Sequence, residues 1–214
     1  HCSTGLAPIY YLEALKLGVG TVHTAVSPLA NGPSQPSTEN ILRNARSLGF
    51  LSNLNEQALE AMTEHFRFVA KREGFPEGAP VEHDLLQYEH QVPGGMMSNY
   101  KAELARRGLI QQLDVLLKEI AQIRKELGYP IMVTPISQYI GAQAILNHTA
   151  GERYKIVTDE VIKYMLGHYG DLTAPVDPDV RAKVMGLPRT KELLDWEPPQ
   201  RSIEDLRQEF GPDL

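Results

Sequence analysis

Two short stretches set chemically capable side chains beside small, flexible backbone. The first, His1-Cys2-Ser3-Thr4-Gly5-Leu6-Ala7, puts an imidazole ahead of a glycine-containing loop that turns into a helix, so a ligand can approach closely there. The second is Glu89-His90-Gln91-Val92-Pro93-Gly94-Gly95-Met96-Met97-Ser98-Asn99, in which two adjacent glycines permit unusual backbone angles or close approach beside several polar groups. A helix-capping turn is the plain alternative, although Asn99 lies too deep in the following helix to cap it. The seven histidines are otherwise scattered, and none pairs with another at the i, i+4 spacing of a helical metal clamp. Cys2 is the one cysteine and reads as a packed thiol rather than a nucleophile.

Composition narrows the classes of function. The chain has 214 residues, 42% hydrophobic and 22% charged, enough to bury a substantial core in one large domain or two small ones. One cysteine closes no internal disulfide and builds no Cys-rich zinc site, so a reduced, cytoplasmic setting is expected, where the triplet Asn147-His148-Thr149 has no glycosylation meaning. A formal charge of -6 offers no basic field for phosphate backbones, which argues against nucleic acid as a partner. Apolar runs such as residues 131–133 fall far short of the roughly 20 residues a membrane-spanning helix needs. With His1 in first place and no targeting leader, the sequence reads as a piece cut from a longer chain.

The elements that would position the two loops follow from periodicity. A strand end at His1, a helix over residues 6–17 stopped by Gly18 and Gly20, and a β-prone run over 21–26 make an αβ unit of a parallel α/β fold. A proline-rich loop, 27–36, leads to a helix capped by Ser37 and ending near Leu48, then to one capped by Asn53 or Asn55 and running to Gly74. Residues 74–92 read as turn-rich and irregular up to a Pro93-Gly94-Gly95 turn. Helices fit residues 97–107 and 109–127, the latter carrying an apolar stripe of Leu109, Leu113, Leu116, Leu117, Ile120 and Ile123. A β-prone run at 131–134 precedes helices over 137–146 and from Thr158 to about Gly167. Pro175, Pro178, Pro188, Pro198 and Pro199 punctuate the tail, and Ser202 caps a last helix before Gly211-Pro212, after which the end should fray.

Several blocks, taken in order, resemble the carboxyltransferase domain of biotin-dependent 2-oxo-acid enzymes: pyruvate carboxylase, the oxaloacetate decarboxylase alpha subunit and the transcarboxylase keto-acid subunit. They are the His1–Ala7 loop, Val22-His23-Thr24-Ala25, Ser34-Gln35-Pro36-Ser37-Thr38-Glu39 and His90-Gln91-Val92-Pro93-Gly94-Gly95-Met96-Met97-Ser98-Asn99. Residues 135–144 and Glu152-Arg153-Tyr154-Lys155 also fit, and Met96-Met97-Ser98-Asn99 looks more like the decarboxylase, transcarboxylase and separate-subunit branch. The resemblance implies an α/β, mostly helical chain: residues 1–50 as the last αβ portion of a TIM barrel, 51–214 as an all-helical funnel extension.

It also implies chemistry. CO₂ would move between carboxybiotin and pyruvate or oxaloacetate through an enolate, with a divalent metal (Zn, Mn or Co) acting on the enolate oxygen. His1 matches the second histidine of the family's His-x-His metal pair, and the remaining ligands would lie upstream. Ser34, Gln35, Gly94 and Gly95 fall on the biotin side, while the family's proton-shuttling Thr position is occupied by Pro33, which has no hydroxyl. No Met-Lys-Met biotin site occurs in the chain, so biotin would arrive on another domain or subunit, and a homo-oligomer is implied. A non-catalytic helical interaction module is the competing expectation.

Overall fold

The computed structural model describes residues 1–198 and 200–211, so Pro199, Pro212 and the fraying expected of the last residues lie outside the described residues. Eleven α-helices order these residues. Helix α1 (Ala7–Lys16) packs on α2 (Thr38–Ser47), and α3 (Glu56–Glu73) packs on a 3₁₀ turn at Ser27–Leu29. Then come α4 (Leu86–His90), α5 (Gly94–Arg106), α6 (Leu113–Glu126) and α7 (Ile136–Thr149). Four short helices end the chain: α8 (Asp159–Met165), α9 (Pro178–Met185), α10 (Pro188–Leu193) and α11 (Ile203–Phe210).

No strand occurs among the described residues, which corrects the β expectation for 21–26 and 131–134. A β-prone run becomes a strand only when a neighbouring segment supplies its ladder, and here the pairing is a single parallel bridge. Ala25 N–H donates to Pro36 O (3.0 Å) and Thr38 N–H to Ala25 O (2.8 Å). Caps, by contrast, fall where the side chains require. The Ser37 hydroxyl accepts from Asn40 N–H, Asn55 rather than Asn53 accepts from Ala58 N–H, and Thr158 accepts from Val161 N–H. Ser202 and Asp205 form a reciprocal capping box. Helices α9 and α10 replace the merely punctuated tail, because Pro178 and Pro188 stand in the first turn, where proline's missing N–H costs nothing.

The main core is built largely by α5 to α10. Leu116, Ile120 and Ile123 of α6 are fully buried and pack with Leu104 of α5, Ile140 and Ala144 of α7, Ile162 of α8 and Val184 of α9. Leu109 and Leu113 of the anticipated stripe are only partly buried against that cluster. A polar seam crosses it. Arg153 donates from Nη1 and Nη2 to the two Glu126 oxygens (2.5 and 2.7 Å) and from Nε to Glu119 (2.8 Å), and the Tyr154 hydroxyl donates to Glu126 (2.8 Å). Asn147 extends the seam, donating to Glu119 and accepting from Gln143 and from Tyr154 N–H.

The first helices hang on another carboxylate. Glu39, in the first turn of α2, accepts from Ser27 N–H (3.1 Å), the Ser37 hydroxyl (2.9 Å) and the Thr63 hydroxyl (2.5 Å), tying three elements together. Burial pushes its pKa up, but the donors, with Thr63 foremost and Ser27 N–H among them, outweigh burial and hold it at about 2. A depressed carboxyl stabilises the fold above its unfolded pKa of about 4.3 and loses that contribution as pH falls to the folded value. Glu39→Gln should therefore lower the melting temperature at neutral pH, with the gap from wild type closing between about pH 4.5 and pH 2. Paired thermal melts across that range check it; a gap that does not depend on pH removes Glu39 as a tie.

Candidate functional site

Three loops singled out by the sequence meet in space. Residues 31–35 fold into a tight loop, with Asn31 (φ 71°) and Gly32 (φ 53°) both left-handed and Asn31 N–H donating to Gln35 O (2.7 Å). Cys2 N–H donates to Ser34 O (2.8 Å), which fastens this loop to the His1 loop. Gly5 (φ 77°) lies against the backbone at Val81, where a Cβ would come within 2.5 Å of the carbonyl oxygen, and His83 Nδ1 lies 2.8 Å from Thr4 O. Gly94 rests on the same assembly: a Cβ there would stand 2.5 Å from Pro33 Cα. Between them opens a cleft of about 330 Å³, lined by Ser3, Pro33, His90, Gly94, Ser98 and Lys101 among others.

The Pro93-Gly94-Gly95 segment is not the turn the sequence suggested. Pro93 is the N-cap of α5 and the two glycines begin that helix, neither with a left-handed backbone. The left-handed residue is Gln91 (φ 50°), just after α4. Glycine is required at 94 for close approach alone, whereas a Cβ at Gly95 would meet open space. Gly94→Ala should thus push the Pro33 loop away and destabilise the protein by about 1–3 kcal/mol. Gly95→Ala should be neutral or stabilise by about 0.5–1 kcal/mol, as alanine does for glycine within helices. Denaturant unfolding of both variants decides; equal effects would mean that Gly94 is not a contact position.

The other anticipated residues are placed less centrally. His1 is exposed, Cys2 is buried at 2% exposure, and burial pushes the Cys2 thiol pKa up. Ser34 and Gln35 are half-buried and contact each other, with Ser34 Oγ 3.4 Å from Gln35 Oε1, and do not line the cleft. Pro33 lines it and offers no proton. His90 stands out in the sequence only as part of its motif, yet it is 3% exposed and borders the cleft; its Nδ1 accepts from Val92 N–H at 2.9 Å. Burial lowers its pKa, nearby Asp84 works against that, and Arg124 adds to it. The cleft thus offers hydroxyls, an ammonium, a buried imidazole and the carboxylates of Asp84 and Asp114, groups that can hold a small polar ligand. Among the described residues, no three His, Cys, Asp or Glu side chains come together to hold a metal.

Comparison with known proteins defines the class. The carboxyl transferase domain of Rhizobium etli pyruvate carboxylase, solved with pyruvate, superposes with a TM-score of 0.78 over 98% of this chain and 36% of that one, at 19% identity, and so shares the fold. Residues 88–210, more than half of the chain, match the conserved carboxylase domain, and the chain belongs to that family. Its relatives include a pyruvate carboxylase subunit from Methanocaldococcus jannaschii, 38% identical over 96% of this chain and 38% of the relative. The methylmalonyl-CoA carboxyltransferase 5S subunit of Propionibacterium freudenreichii subsp. shermanii is 34% identical over 84% of this chain and 35% of its own length. The chain thus spans little more than a third of either relative.

Proposed function

We propose that this chain is part of a biotin-dependent carboxyltransferase that moves CO₂ between carboxybiotin and pyruvate or oxaloacetate. The observation that carries the reading is the meeting of the His1, Pro33 and Pro93-Gly94 loops at one cleft in a member of the conserved carboxylase family. On this reading residues 1–50 complete a TIM barrel whose other strands come from preceding residues of the longer protein, and 51–214 form the helical extension over its mouth. The contact of α3 with Ser27–Leu29 would then join the two. Unpaired residues of the run 21–26 would then gain their ladder from the rest of the barrel.

Ser34, Gln35, Gly94 and Gly95 are assigned to the biotin side. Ser34 does this with its carbonyl already committed to Cys2 N–H, so its role there would be to shape the loop as well as to contact the ligand. Exposed His1 can supply one ligand to a divalent ion; a catalytic site normally needs at least three protein ligands, so the others would come from upstream. When bound, that metal would supply Lewis-acid stabilisation of an enolate oxygen. Pro33 cannot shuttle the proton, so transfer between biotin and the acid would use another group. Biotin would be delivered by a carrier domain or subunit, in an oligomeric cytoplasmic enzyme; no described helix is long and apolar enough to cross a membrane.

The test compares two proteins. The longer protein, supplied with biotinylated carrier, should bind stoichiometric divalent metal and decarboxylate oxaloacetate, and the 214-residue chain alone should turn over none. A longer protein that assembles normally but holds no metal and transfers no carboxyl group would favour the helical interaction module.

A further inference from the structure

The turn between α4 and α5 is held by an unusually complete set of contacts. Val92 is 1% exposed, and both of its backbone polar groups are taken by side chains of the preceding helix: N–H by His90 Nδ1 (2.9 Å) and C=O by Gln87 Nε2 (3.0 Å). Gln87 O accepts from Gln91 N–H (2.9 Å), which closes the left-handed step at Gln91. From α6, Arg124 Nη1 donates to Glu89 O at 2.8 Å. Two residues beyond Val92, Gly94 sits on Pro33 without room for a Cβ. The turn is therefore a rigid link from the helical core to the 31–35 loop, and a buried acceptor on His90 is one of its two side-chain pins.

We propose that His90 is a positioning residue: by accepting from Val92 N–H it locks the α4–α5 turn against the Pro33 loop and so sets the shape of the cleft between them. The assignment rests on the proposed carboxyl transfer for its kinetic consequence only. With Nδ1 as acceptor, the imidazole proton is on Nε2, and the pin exists only in the neutral ring. Protonation would turn Nδ1 into a donor facing the Val92 N–H. The charged groups around this ring and its cleft are Asp84 ahead of α4, Lys101 on α5, and Asp114 and Arg124 on α6. Since burial lowers the His90 pKa, the pin persists through neutral pH and is lost as pH falls through that lowered value.

The experiment uses the longer protein with His90→Ala and His90→Asn, because an asparagine Oδ1 can accept where Nδ1 does but cannot titrate. Amide exchange at Val92 and over residues 31–35 should quicken about tenfold in His90→Ala and return to near wild type in His90→Asn, as expected for one buried hydrogen bond. Transfer kcat should fall about tenfold in His90→Ala with KM nearly unchanged, and His90→Asn should restore it while abolishing the wild-type acid limb. Wild-type protection of Val92 in His90→Ala would overturn the pin. Exchange that quickens at Val92 but not at 31–35, or an amide rescued by Asn without turnover, would overturn the positioning role. If wild type transfers no carboxyl group, the functional reading falls while the exchange comparison still decides the pin.

Discussion

Arg153→Ala should be the most destabilising single truncation of a polar side chain in this protein, at about 3 kcal/mol. Arg153 is the only cation hydrogen-bonded to both Glu126 and Glu119 among the described residues, and the Glu126 side chain is just 9% exposed. Burial pushes the Glu126 pKa up; the bidentate Arg153, with Gln122 and Tyr154, more than reverses this and keeps it a carboxylate. Removing the guanidinium leaves a buried charge with only neutral donors, the situation in which broken ion pairs cost most. The figure lies at the low end of the usual range because Arg153 is itself 38% exposed and partly screened. For a domain of this size it corresponds to a fall in Tm of about 6–12 °C. Arg153→Lys should recover only part, since a single ammonium cannot repeat the fork that spans two carboxylates. Thermal melts showing less than about 1 °C of change for Arg153→Ala would contradict this, at about 2–4 °C per kcal/mol.

That seam also marks the reach of sequence reading. Arg153 and Glu126 are 27 residues apart, and no local pattern joins them, although the Glu-Arg-Tyr-Lys block is visible as a family likeness. Part of the signal is local: Glu119, Gln122 and Glu126 share one face of α6, and Gln143 and Asn147 stand at i, i+4 on α7, with Glu126, Gln143 and Asn147 buried. Helix starts with Ser, Thr or Asn caps are legible because one side chain determines each. Pro178 and Pro188 mislead because proline both ends and begins helices; Asp177 caps the helix at Pro178, whereas Leu187 offers no side-chain cap to mark the one at Pro188. Strands are not recoverable, since a ladder depends on a neighbour that local sequence does not name. Gly94 is legible as special, but for the wrong reason, as its contact with Pro33 bridges loops far apart in the chain.

His1→Ala in the longer protein should cause the largest loss of function. If the exposed His1 imidazole completes a divalent site with upstream ligands, the variant loses an interaction that stabilises the enolate oxygen only as charge develops. A loss of about 4 kcal/mol from that interaction is about a thousandfold in turnover. Metal occupancy should fall in parallel, while the fold is unaffected, because His1 is on the surface and belongs to no core cluster. Elemental analysis of the folded variant, alongside its oxaloacetate decarboxylation rate, checks both halves. Full metal content with near-normal turnover would remove His1 from the site.

The most direct measurement follows the carboxyl group itself. The longer protein is incubated with oxaloacetate labelled at the transferable carboxyl and with biotinylated carrier, and label is counted on the carrier after rapid separation. Label should appear on carrier biotin, accompanied by pyruvate in equal amount, and at a reduced rate when Gly94→Ala displaces the Pro33 loop at the cleft. Carrier that stays unlabelled in the presence of folded, metal-replete protein would contradict carboxyl transfer as the function.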